Sequence, residues 1–373
     1  NTHVITNKKT TLYDLEDDTF IAVGYLKEGY PLNLSEQEIT KDTTHFKTQG
    51  LNYYVAIDDL DKTESPHLKK QRYQDYIVFN ENVKTLETTV FYDEHDNEIA
   101  SINQSFDLPI YIKDTPKYGV VFDDTLVYVK DIESTYAHKN TDEVSRKNLR
   151  TFTYHTVYDT KTQKCASVQI CHPIEQFEEQ LQYLKEHKFV TLTMEAVEMF
   201  LDNKIRIPIK TVALTLDDGI FLENSVPLVE KYEMYATFFK ITSRTDVSEY
   251  LNASYARFES HTDDLHNNYR CPLNTSYSQG GQMMCEKYEK VIKDLRLSQE
   301  KLNGSYYFAY PFFDVNDQAI RALKETGFHL AFVGQLGTNG YSDSTTEKMR
   351  IRRKTIFGND SIKVFADYVN DRD

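Results

Sequence analysis

The C-terminal part of the chain alternates between helical and strand-like hydrophobic patterns. Phe177, Leu181 and Leu184 recur at the spacing of an amphipathic helix. The apolar run at residues 212–214 and the mostly apolar run at residues 236–241 are typical of buried strands. Strands that alternate with helices predict an α/β fold with a parallel sheet.

The N-terminal part of the chain has a different pattern. Its apolar runs are short, they are separated by Asp, Asn and Gly turns, and no long helical period occurs. The strand-like runs are residues 20–23, 53–57, 89–92 and 126–129. A weak internal repeat relates residues 52–60 to residues 126–132. This part of the chain is therefore expected to be all-β.

These patterns predict three domains. Two small β domains occupy residues 1–75 and 76–145, and an α/β domain occupies residues 146–373. The predicted linker is the polar segment at residues 137–150, which is rich in Lys, Asn and Asp.

Candidate chemistry first appears where a buried run ends. Asp217 and Asp218 stand before Gly219, which permits a tight turn at little steric cost. Further along the chain, His261 and His266 are five positions apart. One Asp and two His leave a metal coordination position open, as catalytic zinc requires, and the second Asp can act as a general base. Each motif alone has an ordinary alternative, because Asp-Asp-Gly is a common turn and paired histidines occur on surfaces.

A third motif connects these residues to a known family. Residues 308–312, Phe-Ala-Tyr-Pro-Phe, have the pattern of a buried strand that ends at a proline. With this motif in place, residues 150–369 resemble the NodB-type polysaccharide deacetylases, carbohydrate esterase family 4.

Within that family, the chain is most similar to the poly-N-acetylglucosamine deacetylases of biofilm-forming bacteria. That branch spaces its metal histidines five apart, as His261 and His266 are here, whereas four is usual. It lacks the usual Arg two residues before the proline, and this chain has Ala309 at that place. It also carries its general-acid histidine in an early Tyr-His pair, which Tyr154-His155 matches, rather than in a late Leu-x-x-His motif.

The resemblance implies a fold, a metal and a reaction. The fold is a distorted seven-stranded (β/α) barrel, with the chemistry at the C-terminal ends of its strands. Asp218, His261 and His266 hold a divalent ion, with zinc as the default and cobalt, nickel or manganese as alternatives. The reaction is removal of N-acetyl groups from a surface polymer of N-acetylglucosamine, with release of acetate.

The same resemblance assigns the catalytic roles. Asp217 takes a proton from the attacking water, and His155 gives one to the departing nitrogen. The backbone N–H of Phe312 completes the oxyanion hole. Tyr310 either contacts the sugar or packs against the barrel.

Several of these residues have alternative interpretations. His155 is open to a role as a buried strand histidine. His172 is a rival acid, but it precedes a helix and is expected to cap or pack. His329 lies in a strand pattern and is expected in the core. Three arginines close together either provide a partner for Asp217 or form a solvated basic face; they are Arg350, Arg352 and Arg353.

The substrate is less sharply defined than the reaction. Biofilm polysaccharide is preferred, on the histidine spacing and the early Tyr-His pair, over peptidoglycan or chitin. A second class of function is a cell-wall binding protein that has lost catalysis. The two N-terminal β domains resemble bacterial SH3-type domains, which commonly hold secreted enzymes on the cell wall. Alternatively, they only stabilise the catalytic domain.

Composition narrows the partners and the location. The 373-residue chain has a net charge of −15, which makes nucleic acid and anionic membranes poor partners. No run of 18 apolar residues occurs, so no membrane-spanning helix is expected. The chain begins at Asn1 without a basic, apolar leader. For a secreted or surface-associated protein, we expect its signal segment either to have been removed or to lie outside this sequence.

Four cysteines lie in the C-terminal part. The pairing of sequence neighbours joins Cys165 to Cys171 and Cys271 to Cys285, one of three possible pairings. Disulfides would suit an extracellular enzyme, and free buried thiols are the alternative. None of the four has the spacing of a metal cluster.

Overall fold

The computed structural model describes residues 2–34, 44–48, 53–63, 70–138, 144–334 and 339–372. The chain divides into two compact units, one of residues 1–67, 72–143 and 203–206, and one of residues 68–71, 144–202 and 207–373. Residues 139–143 of the predicted linker and residue 52 of the internal repeat lie outside the described residues. None of the helices in the described ranges has the length and apolarity that a membrane span requires.

The first unit is built from β-strands and short 3-10 turns. Its strands are β1 (Thr2–Thr6), β2 (Thr10–Glu16), β3 (Thr19–Leu26), β4 (Pro31–Leu34), β5 (His45–Lys47), β6 (Tyr54–Ala56), β7 (Leu60–Lys62), β8 (Glu81–Thr85), β9 (Thr89–Tyr92), β10 (Glu98–Ile102), β11 (Asp107–Pro109), β12 (Ile112–Asp114), β13 (Lys117–Phe122), β14 (Thr125–Val129) and β15 (Ile132–Ala137). They form sheets of the order β4-β1-β7, β12-β13-β14-β9-β10-β3-β2-β6-β5 and β11-β8-β15.

The all-β character expected for this part of the chain is confirmed. The largest sheet crosses the predicted boundary between residues 75 and 76, because β3 pairs with β10 through Leu26 and Ala100. Phe91 and Phe122 are buried in the core of the unit, with ring centroids 4.1 Å apart. The division into two SH3-like barrels stays a prediction.

The second unit is built on a parallel sheet. Its strands are β16 (Ser145–Arg146), β17 (Leu149–Tyr154), β18 (Thr156–Tyr158), β19 (Cys171–Pro173), β20 (Val190–Thr191), β21 (Ile207–Pro208), β22 (Thr211–Asp217), β23 (Ala236–Lys240), β24 (Ala256–Ser260), β25 (Tyr307–Ala309), β26 (Leu330–Phe332), β27 (Tyr341–Ser342) and β28 (Lys354–Thr355). The main sheet has the order β26-β25-β24-β23-β22-β17-β27, and every neighbouring pair from β26 to β17 is parallel. The predicted α/β fold is confirmed.

Helices follow the strands of this sheet. They are α1 (Ile174–Glu186), α2 (Met194–Leu201), α3 (Leu222–Tyr232), α4 (Tyr288–Lys301), α5 (Asp317–Glu325) and α6 (Ile362–Val369). The apolar stripe predicted from the sequence is the buried face of α1, formed by Phe177, Leu181 and Leu184. All seven residues of β22 are buried, as expected of a parallel strand covered on both faces.

A segment late in the chain, residues 351–355, pairs with two separate strands of this sheet. β28 pairs in parallel with β17, and Ile351 forms a bridge with Phe332 of β26. The same segment carries a residue of the site described below. The backbone pairs at residue 351 and at residues 354–355 fix the position of the side chain between them.

Candidate metal and catalytic site

The three sequence motifs meet at the carboxyl ends of neighbouring strands. β22 ends at Asp217, β24 ends one residue before His261, and β25 ends two residues before Pro311. The carboxyl ends of parallel strands open at the same edge of a sheet, where their loops form a common site. One cleft of about 1330 Å³ is lined by residues from all three motifs, among them Asp217, His261 and Phe312.

Three metal-binding groups converge in this cleft. Asp218 Oδ1 lies 2.9 Å from Nε2 of His261 and 2.9 Å from Nε2 of His266. One ligand atom of each residue lies within 4.8 Å of the others. The histidine side chains are 2% and 10% exposed, so the imidazoles are fixed in the wall of the cleft.

The arrangement fits a divalent cation better than a hydrogen-bonded triad. Despite the 2.9 Å contacts, Asp218 Oδ1 is buried and has no partner of acceptable hydrogen-bond angle in the described parts of the chain. Nδ1 of His261 lies 2.6 Å from the carbonyl oxygen of Ala309. That contact favours the tautomer with the proton on Nδ1, which leaves Nε2 free as a ligand. One carboxylate and two imidazoles are a zinc-type donor set with an open coordination position.

Asp217, the neighbour of Asp218 in the sequence, is paired with an arginine. Its two carboxylate oxygens each accept a hydrogen bond of 2.6 Å from the guanidinium of Arg353. The two side chains are 1% and 0% exposed. Burial by itself would raise the pKa of Asp217, but the charge of Arg353 lowers the pKa below its ordinary value. Asp217 is therefore an ionised, oriented and uncoordinated carboxylate.

The sequence left three arginines as candidates for this contact, and the structure selects Arg353. Its Nε and Nη1 also donate to the carbonyl of Val333 at 3.0 Å and to Thr215 Oγ1 at 3.1 Å. Arg352 is exposed. Arg350 is 42% exposed and pairs with surface carboxylates. The side chains alternate along the segment that contacts β17 and β26, so only one of the three points into the interior.

The turn that carries Asp218 has an unusual backbone. Asp218 and Gly219 have φ of 53° and 64°, in the left-handed region, which costs a residue other than glycine about 1–3 kcal/mol. Lys240, at the end of β23 and 1% exposed, donates its ammonium to the backbone carbonyls of both residues. Burial lowers the pKa of Lys240 to about 8. The sequence offered a signal for this role, because Lys240 is the charged residue in an otherwise buried run.

A second support holds the loop between the two histidines. The Asp294 carboxylate on α4 accepts the backbone N–H groups of Asp263 at 2.8 Å and Asp264 at 2.7 Å. Burial raises the pKa of Asp294 to about 6. Sequence reasoning missed this residue, since a carboxylate on a helix surface gives no sign of the loop that it reaches.

His155 also lines the cleft, at the end of β17. Its Nδ1 is buried and has no hydrogen-bond partner among the residues that the structure describes. Burial lowers the pKa of His155 below its ordinary value, while the charges of Asp218 and Asp217 act in the opposite direction. His155, Asp217 and Asp218 line the same cleft, and the role of His155 as the acid stays a prediction.

The remaining candidates lie elsewhere. His172 is fully buried and packs against Tyr154 with ring centroids 5.2 Å apart, as expected for a packing residue. Tyr310 is also fully buried and donates its hydroxyl to the carbonyl of Met349 at 3.0 Å, which fits the packing interpretation and not sugar contact. The core position predicted for His329 is wrong. His329 is 47% exposed, because Phe328 and Leu330 on either side of it occupy the interior.

Phe312 is placed with the site. Its φ of 58° is left-handed, and its ring centroid lies 4.3 Å from that of His266.

The four cysteines are paired as sequence neighbours, with Cα–Cα distances of 5.7 Å for Cys165–Cys171 and 5.6 Å for Cys271–Cys285. The alternative of free thiols is wrong.

Comparison with known proteins supports the family suggested by the sequence. The family described as "Polysaccharide deacetylase" matches residues 204–331. The poly-beta-1,6-N-acetyl-D-glucosamine N-deacetylase of Staphylococcus aureus is 28% identical over 178 residues, which cover 42% of this chain and 59% of that protein. The enzyme of the same name from Staphylococcus epidermidis is 28% identical over 184 residues, 43% of this chain and 60% of that protein.

The chain thus spans about three fifths of the length of these relatives. Among solved structures, IcaB from Ammonifex degensii aligns with a TM-score of 0.49 and 19% identity, over 61% of this chain and 100% of that chain.

Proposed function

Because this chain carries a polysaccharide deacetylase domain, we propose that it is a metal-dependent hydrolase that removes acetyl groups from a polymer of N-acetylglucosamine. One observation carries the proposal. Asp218, His261 and His266 converge on one point, and Asp217 lies beside them as an ionised carboxylate that Arg353 orients. A glycan-binding protein without catalysis would have no use for an oriented and uncoordinated buried base.

The chemistry is hydrolysis of an amide bond. A divalent ion held by the triad would polarise the acetyl carbonyl and lower the pKa of a bound water. Asp217 accepts a proton from the attacking water as the new carbon–oxygen bond forms. His155 gives a proton to the nitrogen as the carbon–nitrogen bond breaks, so acetate and a free amine leave. The backbone N–H of Phe312 is proposed to stabilise the oxyanion, a contact that is typically worth about 3 kcal/mol.

We propose that Arg353 replaces an arginine that is usual in the family and missing at position 309 of this chain. The wider family usually has an Arg two residues before the motif proline, where this chain has Ala309. Here the Ala309 carbonyl is the partner of the His261 imidazole, and Arg353 provides the guanidinium that pairs with Asp217. The departure at position 309 is therefore compatible with catalysis.

The polymer that we propose is a surface poly-β-1,6-N-acetylglucosamine, on the strength of the relatives' names. Peptidoglycan and chitin-type N-acetylglucosamine polymers are the alternatives. The cleft of about 1330 Å³ exceeds the roughly 300–1,000 Å³ typical of small-molecule sites, as a polymer substrate requires. A net charge of −15 also suits a product that gains amino groups.

Finer features belong to the same proposal. Zinc is the ion that the donor set favours. We propose that β17, β22 to β26 and β28 form the seven strands of a distorted barrel, with the Phe332–Ile351 bridge at its seam. We also propose that the protein is secreted or surface-associated, and that the N-terminal region, as two SH3-like domains, contacts the cell wall.

The test separates metal binding from catalysis. Acetate release is measured on N-acetylglucosamine oligomers and on peptidoglycan side by side, together with the bound divalent metal. Asp217→Asn is expected to keep the metal and lose at least about 100-fold in kcat. Asp218→Asn is expected to lose both metal and activity.

A matched control is Asp367→Asn, which removes a carboxylate from a surface pair with Lys363 on α6. Such pairs contribute little, so both metal content and acetate release should match those of the parent. Equal acetate release by Asp217→Asn and the parent would reject Asp217 as the base. Full activity in metal-free protein would reject the metal-dependent reaction.

A further inference from the structure

A long connection between His266 and α4 forms one wall of the catalytic cleft. Three of its large side chains are conspicuously exposed: Tyr269 by 75%, Leu273 by 61% and Tyr277 by 63%. All three line the same cleft as the metal triad. Exposed apolar groups that cluster beside a site indicate a ligand surface, whereas scattered ones need no explanation.

A disulfide and several hydrogen bonds constrain the conformation of this connection. The Cys271–Cys285 disulfide closes it, and the backbone N–H of Tyr269 donates to the Gln279 carbonyl at 2.9 Å. The carboxylate of Asp314 accepts the N–H of Gly281 at 2.8 Å. Asp314 is 7% exposed and lies two residues after Phe312, so the wall is fixed to the motif that we assign to the oxyanion hole. A preorganised surface loses less entropy when it binds a ligand.

The chemistry of this wall suits a neutral sugar. Residues 271–280 read Cys-Pro-Leu-Asn-Thr-Ser-Tyr-Ser-Gln-Gly and contain no charged side chain, in a protein of net charge −15. Asn274, Ser276 and Ser278, which are near Tyr277 in the sequence, line the cleft with it and carry amide or hydroxyl groups. An aromatic face attracts the weakly positive C–H groups of a pyranose ring, and hydroxyls and amides can both donate to and accept from its polar rim.

We propose that this disulfide-closed wall is a second sugar-binding subsite, in which Tyr277 and Tyr269 hold an uncharged N-acetylglucosamine residue next to the one being deacetylated. The inference rests on the proposed function and deepens it. It assigns the recognition of polymer length to residues outside the catalytic constellation. A cationic, already deacetylated residue gains no ion pair from the uncharged segment 271–280, so the subsite favours acetylated stretches of the polymer.

The test compares a short and a long substrate. Tyr277→Ala and Tyr269→Ala are assayed for acetate release from the N-acetylglucosamine monomer and hexamer. Each variant is expected to raise KM for the hexamer about twofold to 13-fold, because aromatic contacts of this kind contribute about 0.5–1.5 kcal/mol and about 1.4 kcal/mol is a factor of ten. The kcat for the hexamer and both constants for the monomer, which does not reach the subsite, should stay at the parent's values.

Tyr306→Ala is the matched control. Tyr306 is 54% exposed, but it lies just before the N-terminal end of β25. Phe312, which lines the cleft, follows the C-terminal end of the same strand. Removal of Tyr306 should change neither KM. The double variant Cys271→Ser/Cys285→Ser removes the disulfide that constrains the wall but keeps both tyrosines. It should raise KM for the hexamer alone.

Calorimetric titration of the hexamer into Asp217→Asn, with and without Tyr277→Ala, gives a readout that does not need catalysis. Weaker binding after loss of Tyr277 is expected, and it would support the subsite even if no acetate were released by the parent. An equal effect on monomer and hexamer, or no effect on either, would overturn the subsite while acetate release by the parent keeps the deacetylase proposal. Binding of the parent to neutral phosphatidylcholine vesicles that is lost in Tyr277→Ala would also overturn it, in favour of a membrane surface.

Discussion

Replacing Arg353 by Met tests how the carboxylate of Asp217, the proposed base, is held. Both members of the pair are almost completely buried, and two hydrogen bonds of 2.6 Å join them. Removing one partner leaves a buried charge without compensation, so we expect the free energy of unfolding to fall by about 3–5 kcal/mol. We also expect acetate release to fall by about 100-fold, the scale of loss when a catalytic group is misplaced by about 1 Å.

The assay is a double-mutant cycle with Asp217→Asn, in which urea denaturation gives the unfolding free energy of each variant. In the double variant neither charge is left unpaired, so its loss should be smaller than the sum of the single losses by about 1–3 kcal/mol. Arg150→Met is the matched control. Arg150 is also fully buried, but it lies near the N-terminal end of β17, opposite Val212, whereas the cleft lies at the C-terminal end of that strand. Its loss should add to that of Asp217→Asn. Strict additivity of Arg353→Met with Asp217→Asn would refute the coupling.

Two further predictions concern the supports of the site. Asp294→Asn removes a group whose raised pKa of about 6 makes the folded state bind more protons than the unfolded chain between about pH 4 and pH 6. The parent should therefore lose up to about 2 kcal/mol of unfolding free energy relative to this variant as pH rises through that window; a pH-independent difference would contradict this. Lys240→Met removes two charge-assisted bonds to the turn of Asp218. It should weaken metal binding about 10–100-fold in a chelator competition, and unchanged affinity would show that the turn holds itself.

The sequence was sufficient for the parts of the site that depend on local pattern. The buried run before Asp217-Asp218 marked the end of a strand, and the family resemblance placed the histidine motif at strand ends as well. The carboxyl ends of parallel strands meet at one edge of a sheet. The same local pattern could narrow the partner of Asp217 to a basic cluster but could not choose Arg353. That choice depends on the register of β28 against β17, a long-range pairing.

The misses have a common physical cause. Lys240 and Asp294 act on backbone groups that are distant in sequence, so the groups that they bind follow from tertiary structure, even though the lone charge of Lys240 in a buried run was visible in the sequence. His329 was wrongly expected in the core because its neighbours are apolar. In an extended segment, however, buried residues on both sides place the one between them on the opposite face. The N-terminal sheet could be predicted as β but not as an arrangement, since β3 pairs with β10 across more than seventy residues.

The central claim is that Asp218, His261 and His266 bind one cation while Asp217 stays uncoordinated. Its most direct test is anomalous X-ray diffraction at the zinc edge, from crystals of the full chain grown with zinc. We expect an anomalous peak about 2.0–2.2 Å from one oxygen of Asp218 and from Nε2 of both histidines. Asp217 should still be paired with Arg353 in those crystals. A peak elsewhere, or a metal bound directly by Asp217, would contradict the account.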